Sequence, residues 1–392
     1  MFALLKAACK APKRLIAGLA AAAAVAACAP VNMAGGLSGP AVDPGQPVQV
    51  ALLVPKGSGA AGDAVLARSL ENAARLAMND LGGVEIDLRV YDTQGNAATA
   101  QRVANQAVVE GAKIILGPVY AGNANAAGLA AAQGGVNVLS FSNNASIAGG
   151  NVWVLGHTFE NTADRLASYA ARQGKNRAVI AYSTDVQGQT AANALRSAVK
   201  GAGGQIVAEV PHEFSQQGVV NAVPKIKAAV DSAGADALYL TANTAGALPL
   251  FSQMLPEQGV TSATTQFIGL TRWDIPAQTL ALPGVQGGWF ALPDPNRTAQ
   301  FNARYGSAYG SAPHPIASLA YDGIAAVGAL AKQGRGLGAR DLTQGAGFQG
   351  TGGVFRLLPN GSNERGLAVA TIANQRVQVI DPAPRGFGGA GF

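Results

Sequence analysis

Residues 111–144 read GAKIILGPVYAGNANAAGLAAAQGGVNVLSFSNN, and the order of residue types in this stretch decides the fold class. Lys113–Leu116 is a short apolar run halted by Gly117-Pro118, the punctuation that ends a buried strand. A helix of small residues follows. Val136–Phe141 is a second apolar run, and it opens into the polar loop Ser142-Asn143-Asn144. Strand, helix, strand in this order implies parallel pairing with a right-handed crossover. In such a sheet both the turn after Leu116 and the loop after Leu139 lie at carboxyl strand ends, where open α/β sheets take their ligands. The stretch is therefore expected to form one wall of a cleft.

The same alternation extends in both directions. Upstream, Val48–Val54 (VQVALLV) is a near-continuous apolar run, the pattern of a strand covered on both faces. A helix with Leu66, Leu70, Ala73, Ala74, Ala77 and Leu81 at three- and four-residue spacing follows, then a strand at Ile86–Tyr91 and a helix at Thr99–Glu110. Downstream the pattern restarts around His157–Ala163. Strands are expected at Ala178–Tyr182, Gln205–Val210, Ala237–Thr241 and Gln266–Gly269, with helices at Gly188–Gly201, Val219–Ser232 and Ala247–Gln258 between them. After Pro283-Gly284 come a strand at Gly288–Leu292, a helix at Thr298–Tyr309 and a long apolar helix at Pro315–Gln333. A strand at Val354–Leu358 and a terminal hairpin, Leu367–Ile372 with Val377–Ile380, complete the chain. Two similar strand–helix series in 392 residues point to two α/β lobes facing each other.

The N-terminus carries an address rather than fold. Lys6, Lys10, Lys13 and Arg14 precede an apolar stretch from Leu15 to Val25, too short to span a membrane and right for a signal peptide. Val25-Ala26-Ala27-Cys28 resembles a bacterial lipobox, which implies lipid on Cys28; ordinary cleavage with Cys28 incidental is the alternative. Ala29 stands where enteric lipoproteins retained in the inner membrane carry aspartate, so a lipid anchor in the outer membrane, on the periplasmic side, is favoured. With Cys9 lost and Cys28 lipidated, no disulfide or thiol chemistry is left to the mature domain. Removing the four basic residues before Cys28 leaves 24 Lys/Arg against 22 Asp/Glu, a balance with no electrostatic footprint for nucleic acid.

Gly57-Ser58-Gly59-Ala60-Ala61-Gly62 is a literal GxGxxG between strand and helix. Pro55 and Lys56 intervene before the first glycine, and the acids considered for the ribose, Asp80 and Asp87, lie at a helix end and mid-strand, so a glycine-rich turn is the better reading and no cofactor is expected. His157, His212 and His314 are isolated, and no metal is expected. No GxSxG elbow is present, so a catalytic role is not expected either.

Taken together the segments resemble the type I periplasmic binding proteins of the branched-chain amino-acid receptor group. The residues that carry this are VALLVP, Gly117-Pro118, VNVLSFSNN, Tyr321-Asp322-Gly323 and FQGTGG-VF-RLLPNG. The resemblance implies an α/β fold of two doubly wound parallel-sheet lobes joined by a three-crossover hinge, with crossovers near His157, Gln286 and Gln344. The expected organisation is a signal peptide over 1–27, a flexible tether over 28–47, lobe I over 48–157 and 287–343, lobe II over 158–286 and 344–382, and a disordered tail over 383–392. Within the fold the chain looks closer to the lipoprotein activators of penicillin-binding proteins. Gln187 replaces the aromatic residue that amino-acid receptors place before Gly188, Thr241-Ala242-Asn243-Thr244 has no tyrosine, and Leu270-Thr271-Arg272-Trp273 has no acid. Asp185 is the remaining candidate for an ammonium.

Two functions follow as expectations. The first is a non-enzymatic, lipid-anchored regulator of peptidoglycan synthesis whose partner is a penicillin-binding protein. The alternative is a solute receptor of an ABC permease that takes an amino acid or another small polar ligand. The candidate cleft residues are Ser58, Tyr120, Ser142, Asn143, Asn144, Asp185, Gln187, Asn243, Arg272 and Trp273. Arg272-Trp273 is the most suggestive pair, since arginine can hold a carboxylate while an indole stacks on a ring.

Overall fold

A computed structural model describes residues 39–43 and 45–388. The expected signal peptide, Cys28 and most of the tether lie outside the described residues. Of the tail, 389–392 lie outside them too, while Phe387 packs beneath the Arg356 guanidinium.

The first lobe is a parallel sheet of β1 (Val48–Val54), β2 (Ile86–Asp92), β3 (Ile114–Leu116), β4 (Asn137–Ser140) and β5 (Val152–Val154), in the order β2-β1-β3-β4-β5. One face is covered by α1 (Asp63–Asp80), α8 (Pro295–Tyr309) and α9 (Ser318–Lys332), the other by α2 (Ala97–Val109) and α3 (Ala121–Ala132). Both faces are buried, which is why β1, β3 and β4 read as unbroken apolar runs rather than alternating ones. Gly117 is required at the end of β3: its φ of 82° is left-handed, and a Cβ there would collide with the Leu53 carbonyl.

The second lobe has seven strands in the order β15-β14-β10-β9-β8-β6-β7. β6 (Arg177–Ser183), β7 (Gln205–His212), β8 (Ala237–Leu240), β9 (Gln266–Gly269) and β10 (Trp289–Leu292) run parallel, and β14 (Ala368–Ala373) and β15 (Arg376–Asp381) close the edge antiparallel. Helices α4 (Phe159–Arg172) and α5 (Val186–Gly201) cover one face, α6 (Gln216–Ala233) and α7 (Ala247–Glu257) the other.

Two expected boundaries move. The strand at Gly288–Leu292 was assigned with lobe I, but β10 pairs with β9 and β14 inside the lobe II sheet. The second crossover therefore falls after Leu292, at Pro293-Asp294, not near Gln286. The third falls near Arg365-Gly366 rather than Gln344. A small antiparallel sheet, β11 (Phe348–Gly350), β12 (Gly353–Leu357) and β13 (Asn363–Arg365), precedes it, and its Phe348, Phe355 and Leu357 pack into the lobe I core. The first crossover, Leu155–Thr158, lies where His157 placed it. Strand β5 was missed because three residues, VWV, carry too little period to be read.

The first and third crossovers are tied to each other, and the second to the β11–β12 turn. Asn363 Nδ2 donates to the Val154 and Gly156 carbonyls at 2.6 and 2.9 Å, Arg365 Nη2 donates to the Leu155 carbonyl, and the Asp294 amide donates to Gly352.

Candidate functional site

In each lobe the strand order reverses once, between β1 and β3 in the first and between β6 and β8 in the second, and ligands of open α/β sheets bind at such switch points. Ser58 and Tyr120 flank the first; Asp185, Gln187 and Asn243 flank the second.

At the first switch point the two hydroxyls converge on a residue that sequence reasoning passed over. Tyr120 Oη donates to Asp63 Oδ1 and Ser58 Oγ to Asp63 Oδ2, both at 2.5 Å. That hydrogen bond, with burial, pushes the Tyr120 phenol up to about 12. Asp63 opens α1, so its carboxylate meets the amino-terminal end of that helix. The chain's own carboxylate at the end of the GxGxxG loop would repel a phosphate there. Ser142, Asn143 and Asn144 do not reach outward as a set. The Ser142 amide donates to Ser140 Oγ, Ser142 Oγ accepts from the Asn144 amide, and Asn144 Oδ1 accepts from the Ser146 amide; Asn143 is exposed.

In lobe II, Asp185 caps α5 through the Gly188 amide and accepts from Ser183 Oγ, while Gln187 is exposed. Asn243 Oδ1 is buried and has no hydrogen-bond partner among the described residues. Trp273 overturns its assignment. It is 0% exposed, stacks on Phe290 at 6.4 Å, and fills the space left by Gly269 and Gly288, where any Cβ would strike the indole. It is lobe II core and presents no face to a ligand.

Arg272 is the candidate that lines a cavity between the lobes. This cavity, about 260 Å³, takes its walls from Phe301 and the Pro313-His314-Pro315 turn of lobe I, from Arg272 and Ile275 of lobe II, and from His157 and Pro293 at crossovers. It lies below the roughly 300 Å³ at which drug-sized pockets begin, a fit for a small metabolite. Arg272 is held by Asp274, with Nε to Oδ1 at 2.6 Å and Nη2 to Oδ2, and among the described residues Nη1 has no hydrogen-bond partner. His157 is held well below its ordinary pKa by burial and by the charges of Arg365 and Arg272, and burial also lowers His314. His314 Nδ1 accepts from the Ile316 amide at 3.4 Å, an assignment that puts the ring proton on Nε2.

Asp322, at the cavity floor, is 1% exposed and fully engaged. Its Oδ1 accepts from the Thr351 amide and hydroxyl at 2.8 and 3.0 Å, and its Oδ2 faces Arg365 Nη1 at 3.5 Å. Burial pushes its carboxyl up, against the pull of Arg365 and Thr351. The histidines and Asp322 were not among the candidates. A signal existed: a lone carboxylate inside PIASLAYDGIAAVGALAKQ demands a buried partner.

Residues 47–376 match the sequence profile of the family described as "Periplasmic binding protein". The chain belongs to the type I periplasmic binding protein family. No curated protein matches it. Solved structures share the fold. A branched-chain amino acid ABC transporter periplasmic ligand-binding protein from Burkholderia xenovorans superposes with a TM-score of 0.68 at 18% identity, over 86% of this chain and 96% of that one. An ABC transporter substrate-binding protein from Sphaerobacter thermophilus gives 0.66 at 19%, over 87% and 98%. A solute-binding protein from R. palustris in complex with benzoate gives 0.56 at 17%, over 88% and 98%. At these identities the likeness is one of fold, so the periplasmic binding protein's ligand chemistry is set by its own cavity residues.

Proposed function

We propose that this protein is a non-enzymatic solute receptor that captures a small metabolite between its lobes and presents it to an ABC permease. The observation that carries this reading is the interlobe cavity: lobe I, lobe II and the crossovers all contribute wall, so an occupant contacts every part that moves in a hinge closure. This reverses the order of the two readings expected from sequence.

The activator of a penicillin-binding protein stays as the second reading. It is favoured by the lipobox tetrad at 25–28 and by the internal pairing of cleft charges, Arg272 with Asp274 and Asp63 with two hydroxyls. Lipid on Cys28 fits either. Native mass spectrometry of the protein purified from its host separates the two. A retained small molecule, released on unfolding, is the expected result. An empty protein that instead captures a peptidoglycan synthase would replace the first reading with the second.

A further inference from the structure

His212, isolated in the sequence, ends β7 and lines a second cavity, on the α6–α7 side of lobe II. The residue is 6% exposed. Its Nδ1 lies 2.8 Å from the Glu213 carbonyl, which can only accept, so that nitrogen carries a proton; in the neutral ring this assignment makes Nε2 an acceptor. Nε2 is buried and has no hydrogen-bond partner among the described residues. On the core side the imidazole meets the Phe251 ring, edge-on at 5.3 Å. The cavity holds about 360 Å³, within the range of small-molecule pockets. Its apolar walls are Val219 of α6, Ala247 and Leu250 of α7, and the exposed Phe214 ring. Ser215 and Gln216 stand exposed at the rim, and Gly246 precedes α7, which opens without a side-chain cap.

Of the described residues that line this cavity none is a carboxylate, a lysine or an arginine, so an ionic occupant would lose its water without gaining a counter-charge. A hydrocarbon, or a molecule with acceptors alone, would leave Nε2 unpaired. A hydroxyl donates to Nε2 and can still accept from the amide end of α7. We propose that this cavity is a second binding site, which takes a small neutral molecule with an apolar body and one hydroxyl. The hydroxyl donates to His212 Nε2, and the body lies against Phe214, Val219 and Leu250. The cavity shares no lining residue with the interlobe cavity, so its occupant neither requires nor excludes a solute between the lobes.

The test is a two-dimensional amide NMR titration of the full mature chain with phenol, cyclohexanol, anisole, toluene and benzoate as probes. Phenol and cyclohexanol are expected to shift the amides of residues 215–219 and 246–250. They should bind at least about tenfold more tightly than anisole and toluene, the scale of one net hydrogen bond. His212→Phe removes the acceptor and keeps a ring in place, so phenol should fall to the affinity of toluene while toluene keeps its own. Since His212 also packs on Phe251 of the lobe II core, Ala247→Leu is measured beside it. That change fills the cavity from a half-buried helix position and should abolish binding of every probe without lowering the melting midpoint. Toluene and anisole binding as tightly as phenol at these amides would make the site an apolar cavity only and overturn the hydroxyl assignment. Benzoate binding more tightly than phenol would overturn it as well, because an acid can meet only a protonated His212. Shifts confined to the interlobe residues, or none at millimolar phenol, would overturn the site itself.

Discussion

At Trp273 the indole is enclosed by Phe290 and by two glycines that make room for it. Trp273→Ala should cost about 3–5 kcal/mol in urea denaturation, the range for emptying a large aromatic site. A ligand platform would instead lose affinity and keep its stability. His157 gives a pH signature. Its pKa in the folded chain lies below its ordinary value, so the unfolded chain binds the proton first. Stability is therefore full above about pH 6.5 and falls as the pH drops below that value. His157→Gln should flatten this segment of the midpoint-versus-pH curve. The other candidates at this scale were legible as polar residues at strand ends, but most of them serve their own loops. A side chain's type says which bonds it can make; its partner is chosen by what folding places opposite.

At the scale of elements, the hinge rests on α9 and β13, which bring Asp322 to Arg365. Both side chains are almost wholly buried, and their contact is joined by the Thr351 bonds and the Leu155 carbonyl. Removing one partner strands the other charge. Asp322→Ala should cost about 3–5 kcal/mol, while the Asp322→Leu/Arg365→Met pair, which buries no charge, should cost less than that single change. Helix α4 makes the opposite case. Partial desolvation of a side chain that stays exposed, with Glu160 and Glu364 nearby, pushes the Asp164 carboxyl up to about 6. Above that pH the carboxylate opposes folding, and below about pH 4 it is protonated in both states. Asp164→Asn should raise the thermal midpoint at pH 7.5, with the gain fading to nothing near pH 4. Most of the elements themselves were readable, because strands covered on both faces and helices with one apolar stripe leave periodic traces. β5 and β13, of three residues each, leave almost none.

At the scale of the molecule, the proposed receptor reading has the lobes closing on an occupant about the bundled crossovers. Among the described residues no hydrogen bond or ion pair joins the loops of Ser58, Tyr120 and Ser142–Asn144 to those of Asp185, Asn243 and Arg272. Small-angle scattering should show the radius of gyration fall when the preferred solute is added, and at 100 times its Kd the solute should add about 2.7 kcal/mol of stability. A scattering curve that does not change with saturating solute would count against closure. The sequence alone determined the two α/β series, the parallel sheets and the first crossover, since hydrophobic period and glycine–proline punctuation are local properties of the chain. Only the tertiary structure decided that β10 joins the second lobe, that Trp273 is core, and that Arg272, His157, His314 and Asp322 meet around one cavity. Those are juxtapositions of residues far apart in sequence, fixed by which buried surfaces fit and which charges find partners, and no local period records them.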